Sequence, residues 1–272
     1  MNDVKKLLCR SLALITLAAF TALAGCGGQM ADPASQAVPV PAHTTSAVAS
    51  AAAAGVTVPT TAQTIQNIQK ITGWQKCFGS CTATPMANFS MTQFIATPSV
   101  SGSSARFSLL SGTKPWGAAL WYKTLGAHNS ATHFLFDLYY YVDNPAVDQA
   151  MEFYVTQNAN GARYNIGAQC DVAGHSWRMW NNVGHRWVNS AAICPTPVAR
   201  TWNHVVFEFQ RQPGGNEIFT AVTLNGKRSV VNLSMQHTPS SNSGLDIAYQ
   251  SDSNHVGAPY SVWLDKVNLT YW

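Results

Sequence analysis

From about residue 105 to Trp272, short runs that alternate apolar with polar side chains are cut off repeatedly by Gly, Asn and Pro. A period of two sends successive side chains to opposite faces of a strand, so such runs suit sheets with one face packed and the other open. They fall at 105–110, 118–123, 132–142, 149–157, 163–167, 176–181, 202–211, 217–224, 227–233, 245–250 and 260–271. Asn225-Gly226 between two of them is a hairpin signal, because both residues accept the positive φ of a type I′ turn. A short helix is expected around 62–71, and little else reads as helical. About eleven strands in roughly 200 residues predict an all-β chain, a two-sheet antiparallel jelly-roll sandwich over residues 63–272. No internal repeat of fixed period is present.

The first 62 residues follow different rules. Lys5, Lys6 and Arg10 precede an apolar stretch from Leu12 to Leu23, then Leu23-Ala24-Gly25-Cys26. A basic start, a short apolar centre and small residues before a cut describe a secretory signal peptide over residues 1–25. The stretch is too short to span a bilayer comfortably. With Cys directly after Leu-Ala-Gly, it resembles the lipobox of bacterial lipoproteins. That resemblance implies cleavage before Cys26, lipids on Cys26 and a membrane anchor there. Because Gly27 rather than Asp follows, it also implies the outer membrane, facing the periplasm or the cell surface. Residues 26–62, rich in Ala, Ser, Thr, Val and Pro, are expected to be a flexible tether, since they cannot bury enough surface to offset their chain entropy.

Beyond Cys26 there are 13 basic and 11 acidic residues, with no long Lys or Arg run, which excludes a nucleic-acid footprint. Export also fits the cysteines. Cys77, Cys81, Cys170 and Cys194 would lie in an oxidising compartment, where two disulfides are expected. Of three connectivities, the local one is favoured: Cys77–Cys81 and Cys170–Cys194. No paired CxxC knuckle and no HExxH motif occurs, so zinc is not assigned.

Three segments carry a family resemblance. The run 202–207, Trp-Asn-His-Val-Val-Phe, followed by Val222-Thr223-Leu224-Asn225-Gly226-Lys227, resembles the Trp-x-His-Val strand and Asn-Gly hairpin of laminin-G-like and pentraxin-like domains. The stretch 260–267 is similar to their final strand. These belong to the concanavalin A-like lectin/glucanase superfamily, which implies a curved double sheet whose concave face or loops bind sugars. It implies fold more firmly than function, because this architecture hosts lectins, hydrolases, lyases and adhesion modules alike.

Candidate chemistry centres on residues 149–157. Read with period two, Met151, Phe153 and Val155 face the core, while Glu152, Tyr154 and Thr156 share the open face. The run resembles the nucleophile strand of β-sandwich glycosidases, but Tyr154 and Gln157 stand where the glucanase pattern has further acids. A partner carboxyl would have to come from another strand, with Glu208, Asp246 or Asp137 as candidates. Asp246 is preferred because it shares parity with Gln250 on a late strand. The plainer alternative makes Glu152 a hydrogen-bonding contact or a structural residue. Among the tryptophans, parity places Arg178 and Trp180 on the open face and Trp177 with Met179 in the core. Trp202, Trp263 and Trp272 are assigned to packing. His133 and His204 carry no nucleophile motif beside them.

Structural calcium is left open. Relatives by that fold bind it in loops, and Asp143, Asn144, Asp171 and Asp252 to Asn254 offer hard oxygens, yet no EF-hand spacing appears and no metal or cofactor is assigned. The leading functional reading is a lipid-anchored, extracytoplasmic carbohydrate-binding protein whose partner is an oligosaccharide or polysaccharide. It would use Tyr154, Arg178, Trp180 and Gln250 with Glu152. The alternatives are a glycan-cleaving enzyme using Glu152 and Asp246, and an envelope adhesion or structural domain. Cys26→Ser is expected to leave the chain unprocessed or released from membranes. Membrane fractionation and the absence of an acyl mass shift check this.

Overall fold

The alternation written into the chain produces two eight-stranded sheets, each held by antiparallel pairing throughout. The computed structural model describes residues 55–78, 81 and 86–272. The leader, Cys26 and most of the tether lie outside the described residues. Along the first sheet the order is β13 (Lys227–Gln236), β12 (Asn216–Leu224), β11 (Trp202–Arg211), β6 (His133–Val142), β16 (Tyr260–Tyr271), β4 (Ser104–Leu109) and β3 (Phe89–Ile95). The short β1 (Gln63–Ile65) adds to β16. The second sheet runs β10 (Arg186–Ile193), β9 (Ser176–Asn181), β8 (Ala162–Asp171), β7 (Asp148–Ala159), β15 (Gly244–Ser253), β5 (Ala118–Thr124) and β2 (Gln75–Phe78), with β14 (Thr238–Pro239) on β8. The chain crosses between sheets at β4–β5, β5–β6, β6–β7 and β15–β16, the jelly-roll manner of closing a sandwich. No helix among the described residues is long and apolar enough to cross a membrane.

The core lies between the sheets and is aromatic at its centre. Phe207 of the first sheet meets Phe153 at 5.0 Å and Trp177 at 5.4 Å, both from the second, and stacks along its own sheet with Phe209 at 5.7 Å. A second knot joins Phe107 to Trp121 and Tyr249, each at 5.3 Å. Edge-to-face contacts of this kind add to the apolar area that the rings bury. Met151, Phe153, Val155, Trp177 and Met179 are all fully buried, which fixes which side of β7 and β9 faces outward. Both expected disulfides are present, Cys77–Cys81 and Cys170–Cys194. The second ties β8 to the segment after β10 inside the core, where both cysteines are fully buried.

Two departures from the sequence reading have physical causes. Residues 62–71 form β1 and a single 3₁₀ turn, Ile68–Lys70, instead of a longer helix. Asn67 adopts a left-handed φ of 53°, and the buried Gln69 side chain bonds to Asp265 and to the Val267 amide, so tertiary contacts override local propensity. The described end of the tether also has partners. Val56 and Val58, like Trp272, pack on Leu135 and Val206, on the outward face of the first sheet.

Phe207→Ala should cost about 3–5 kcal/mol, because it removes the ring on which both sheets close. Urea denaturation of the variant measures that loss.

Candidate functional site

In-register pairing turns the outward side chains of the second sheet into rows that cross it. One row reads Leu120, Gln250, Glu152, Gln169, Arg178 from β5 to β9. The neighbouring row reads Tyr122, Ala248, Tyr154, Gly167. Beside Gly167 comes Trp180, which pairs with Trp187 across β9 and β10. Gly167 is required here, since a Cβ would stand 2.5 Å from the Tyr154 ring and 3.3 Å from Trp180 Cβ. The bare backbone lets the tyrosine ring lie down over β8. These rows floor an open groove of about 760 Å³, within the range of small-ligand sites.

Apolar ring faces flank a polar floor. Trp180 and Trp187 are half-buried and meet edge to face at 5.3 Å, with Tyr154 6.4 Å from Trp187. Trp116, 56% exposed, lines the groove as well. Glu152 is the centre of the floor and only 3% exposed. The Tyr154 hydroxyl donates to its Oε2, and Gln169 Nε2 donates to its Oε1 at 2.8 Å. Gln169 in turn accepts from Arg178 Nη1 at 3.3 Å, while Arg178 forms an ion pair with Asp171. Arg178 therefore braces the floor through Gln169 and does not itself line the groove.

Glu152 has an acidic neighbour that the sequence reading did not pair with it. Asp252 lies two residues along β15 from Gln250, on the same face, its side chain in hydrogen-bond contact with that of Glu152. Gln250 Nε2 donates to Asp252 Oδ1 at 2.9 Å. Burial pushes the Glu152 carboxyl up, against the lowering influence of its hydrogen-bond partners. Burial and then the Glu152 charge push Asp252 well up. Two carboxyls in contact cannot both be ionised, so the pair holds a shared proton. Tyr154, raised by burial and by the Glu152 charge, stays a neutral phenol and a donor.

Of the expected residues, Glu152, Tyr154, Trp180, Gln250 and Asp246 all line the groove. Asp246 sits four residues along β15 from Gln250, about 13 Å by strand rise, and accepts from Thr124 at 2.6 Å. Asp137 and Glu208 are on the outward face of the other sheet, paired with His204 and Arg228 respectively. Asp252, Gln169 and Trp187 were missed as site residues. Parity with Gln250 was the available signal for Asp252, which was instead read as a loop oxygen. Among the described residues no group of three or more His, Cys, Asp or Glu side chains is placed to hold a metal ion.

At one end of the groove a second buried acid stitches the sheets together. Glu217 of β12 accepts from the Asn165 amide at 2.7 Å and from the Asn182 side chain. Asn165 itself accepts from Thr156 at 2.6 Å on the groove side. Burial pushes Glu217 up to about 8, and pushes Asp148, bonded to the Tyr260 hydroxyl, up to about 7.

No protein-family profile matches the chain, and no curated protein matches it. Solved structures to which it is similar include arcelin-5, a lectin-like defence protein from Phaseolus vulgaris. It is 8% identical, with 78% of this chain and 99% of that one covered and a TM-score of 0.45. The carbohydrate esterase of Shiga toxin-encoding bacteriophage phi24B is 13% identical, with 75% and 92% covered and a TM-score of 0.43. The carbohydrate recognition domain of Emp47p is 14% identical, with 74% and 89% covered and a TM-score of 0.43. Likeness at this level says nothing about what the groove of this chain takes.

Carboxyls raised in the fold make the folded protein hold protons that the unfolded chain releases. Their contribution is complete below the ordinary carboxylate range and is lost as pH rises through 7 and 8. Urea unfolding between about pH 5 and about pH 8 should therefore show falling stability, by at most about 1.4 kcal/mol per pH unit for each such group. Glu217→Gln should flatten that slope.

Proposed function

We propose that this protein binds an oligosaccharide or polysaccharide along the groove of its second sheet. The observation that carries the reading is the pairing of indole and phenol faces with a fixed polar floor. Trp180, Trp187 and Tyr154 offer apolar surfaces that match the C–H faces of sugar rings. Glu152, Gln250 and Asp252 lie beside them as acceptors and donors for ring hydroxyls. Because these groups stand on paired strands rather than loops, their geometry is set before a ligand arrives, which lowers the ordering cost of binding.

A lipid anchor at Cys26, and with it an outer-membrane location, belongs to the same proposal. It draws support from the Leu-Ala-Gly-Cys run and from the two disulfides, which persist in oxidising compartments. Val56 and Val58 lie on the outward face of the first sheet, opposite the groove. An anchor reached through that strap would leave the groove unobstructed.

A glycan-cleaving role is the second reading, favoured by the raised carboxyl of Glu152 at the groove floor. Glycosidase pairs, however, stand about 5–5.5 Å or about 6.5–9.5 Å apart, leaving room for the reacting atoms. Glu152 and Asp252 touch instead, so binding is the conclusion we draw. Reducing-sugar release that disappears in Glu152→Gln would reverse it.

Trp180→Ala should weaken oligosaccharide binding by about 1–3 kcal/mol while leaving the fold intact, as expected for a half-exposed anchor ring. Titration calorimetry against a panel of soluble oligosaccharides, with circular dichroism as the folding control, tests this. Binding by none of them, or unfolding without a separable binding defect, removes the proposal.

A further inference from the structure

The floor of the groove is short of donors. Gln250 is only 6% exposed, lines the groove beside Glu152, and commits its amide nitrogen to Asp252 and to Glu152. Its Oε1 is buried and accepts no hydrogen bond from any described residue. Within the same stretch of floor stand the two carboxyls of Glu152 and Asp252, held together by a proton. Three acceptor groups thus converge where one proton does the work of a cation.

The surrounding charges do not supply that cation. On β7, Glu152 is accompanied by the neutral Tyr154 and, deeper, by Asp148 bonded to Tyr260. On β8 the neighbours are Gln169 and Asp171, and the only basic group of β9 near them, Arg178, is engaged by Asp171. On β15 the remaining charge is Asp246, bonded to Thr124 of β5, and the core side presents Tyr249 and Tyr260. Among the described groove-lining residues the one basic side chain is Arg163, six residues along β8 from Gln169 and about 20 Å away.

Resting on the carbohydrate-binding reading above, we propose that the Glu152–Asp252 pair with Gln250 recognises the protonated amine of an amino sugar, making glycans with free amino groups the ligand class. An ammonium carries three donors and one positive charge, which matches Gln250 Oε1 and the two carboxyls. In the binding step the O–H bond of the shared proton breaks and the proton leaves to solvent. The ammonium keeps all its hydrogens and hydrogen-bonds to both carboxylates, so one positive charge replaces another. Tyr154, whose hydroxyl donates to Glu152, brings an aromatic ring beside the same cation. An acidic glycan would meet three carboxyls in the groove and is disfavoured.

The full chain is titrated by calorimetry with glucosamine oligomers, N-acetylglucosamine oligomers and neutral glucose oligomers of equal length, at a pH where the amine is protonated. Glucosamine oligomers should bind about tenfold or more tighter than the acetylated ones, as charged hydrogen bonds warrant. Repeating the titration in two buffers of different ionisation enthalpy should show net proton release on binding. Asp252→Asn, checked for folding by circular dichroism, should abolish both the preference and the release. Equal or tighter binding of the acetylated or neutral oligomers, or binding of the amine without proton release, overturns this inference and leaves the broader reading standing. If no glycan of the three binds, both fall.

Discussion

Phe207 occupies the point where the two sheets close on each other, between Phe153 and Trp177 of the opposite sheet and Phe209 and Phe219 of its own. Everything on the outward face of the second sheet depends on this contact. Phe153 can face Phe207 only if Glu152 and Tyr154 face away, because adjacent residues of a strand point to opposite sides. A slip of one residue in β7 would turn Glu152 into the core and Phe153 onto the outward face, at the cost of a carboxyl without its donors and a lost aromatic contact. The ring packing in the middle of the sandwich is therefore what aims the groove residues, although none of the rings touches the groove.

The groove floor shows the opposite balance, with polar groups kept under cover against their preference. Isolated buried carboxyls are expensive, and Glu152 tolerates its position because both oxygens receive donors, from Tyr154 and Gln169, and because Asp252 shares a proton with it. Arg178 holds Gln169 in the donating orientation from one strand further out, and Asp171 holds Arg178. Removing any member leaves its neighbour short of a partner. The floor behaves as one network rather than a set of separate residues.

How much of this was legible follows from the reach of each physical signal. The long strands β6, β7, β11 and β16 are buried over most of their length, and their residue ranges read almost directly from the chain. Of the strands of four residues or more, β2, β3 and β10 were missed. They sit at sheet edges with much of each strand exposed, so the contrast between core and solvent faces that creates alternation is weak there. Loss of β10 took Trp187 with it as a site residue. Parity within one strand correctly grouped Glu152 with Tyr154 and Arg178 with Trp180. Which carboxyl of β15 meets Glu152 is a matter of register between strands, set by tertiary packing. Pairing places Gln250 opposite Glu152, so the acid in reach is Asp252, and Asp246 falls on the far side of Ala248. Ending the strand at 250 had turned Asp252 into a loop residue.

Glu217 shows how the two layers become a single mechanical unit near the site. It shares its strand face with Phe219, which points it into the interior, yet it lies where β9 has ended and the Asn165 amide has no strand partner. Its carboxyl supplies the missing acceptor, and Asn182 closes over it from the turn after β9. Asn165 then turns its side chain outward, where it accepts from Thr156 on the groove wall. A carboxyl of the first sheet thus fixes the position of a groove residue of the second, through one backbone amide. Burial holds that carboxyl protonated through neutral pH, and a neutral acid can sit at the seam without a counter-charge. Ionising it would place a desolvated charge at the seam that Arg163 offsets only in part, so the end of the groove built on Asn165 and Thr156 is the part of the site whose shape is tied most directly to proton occupancy.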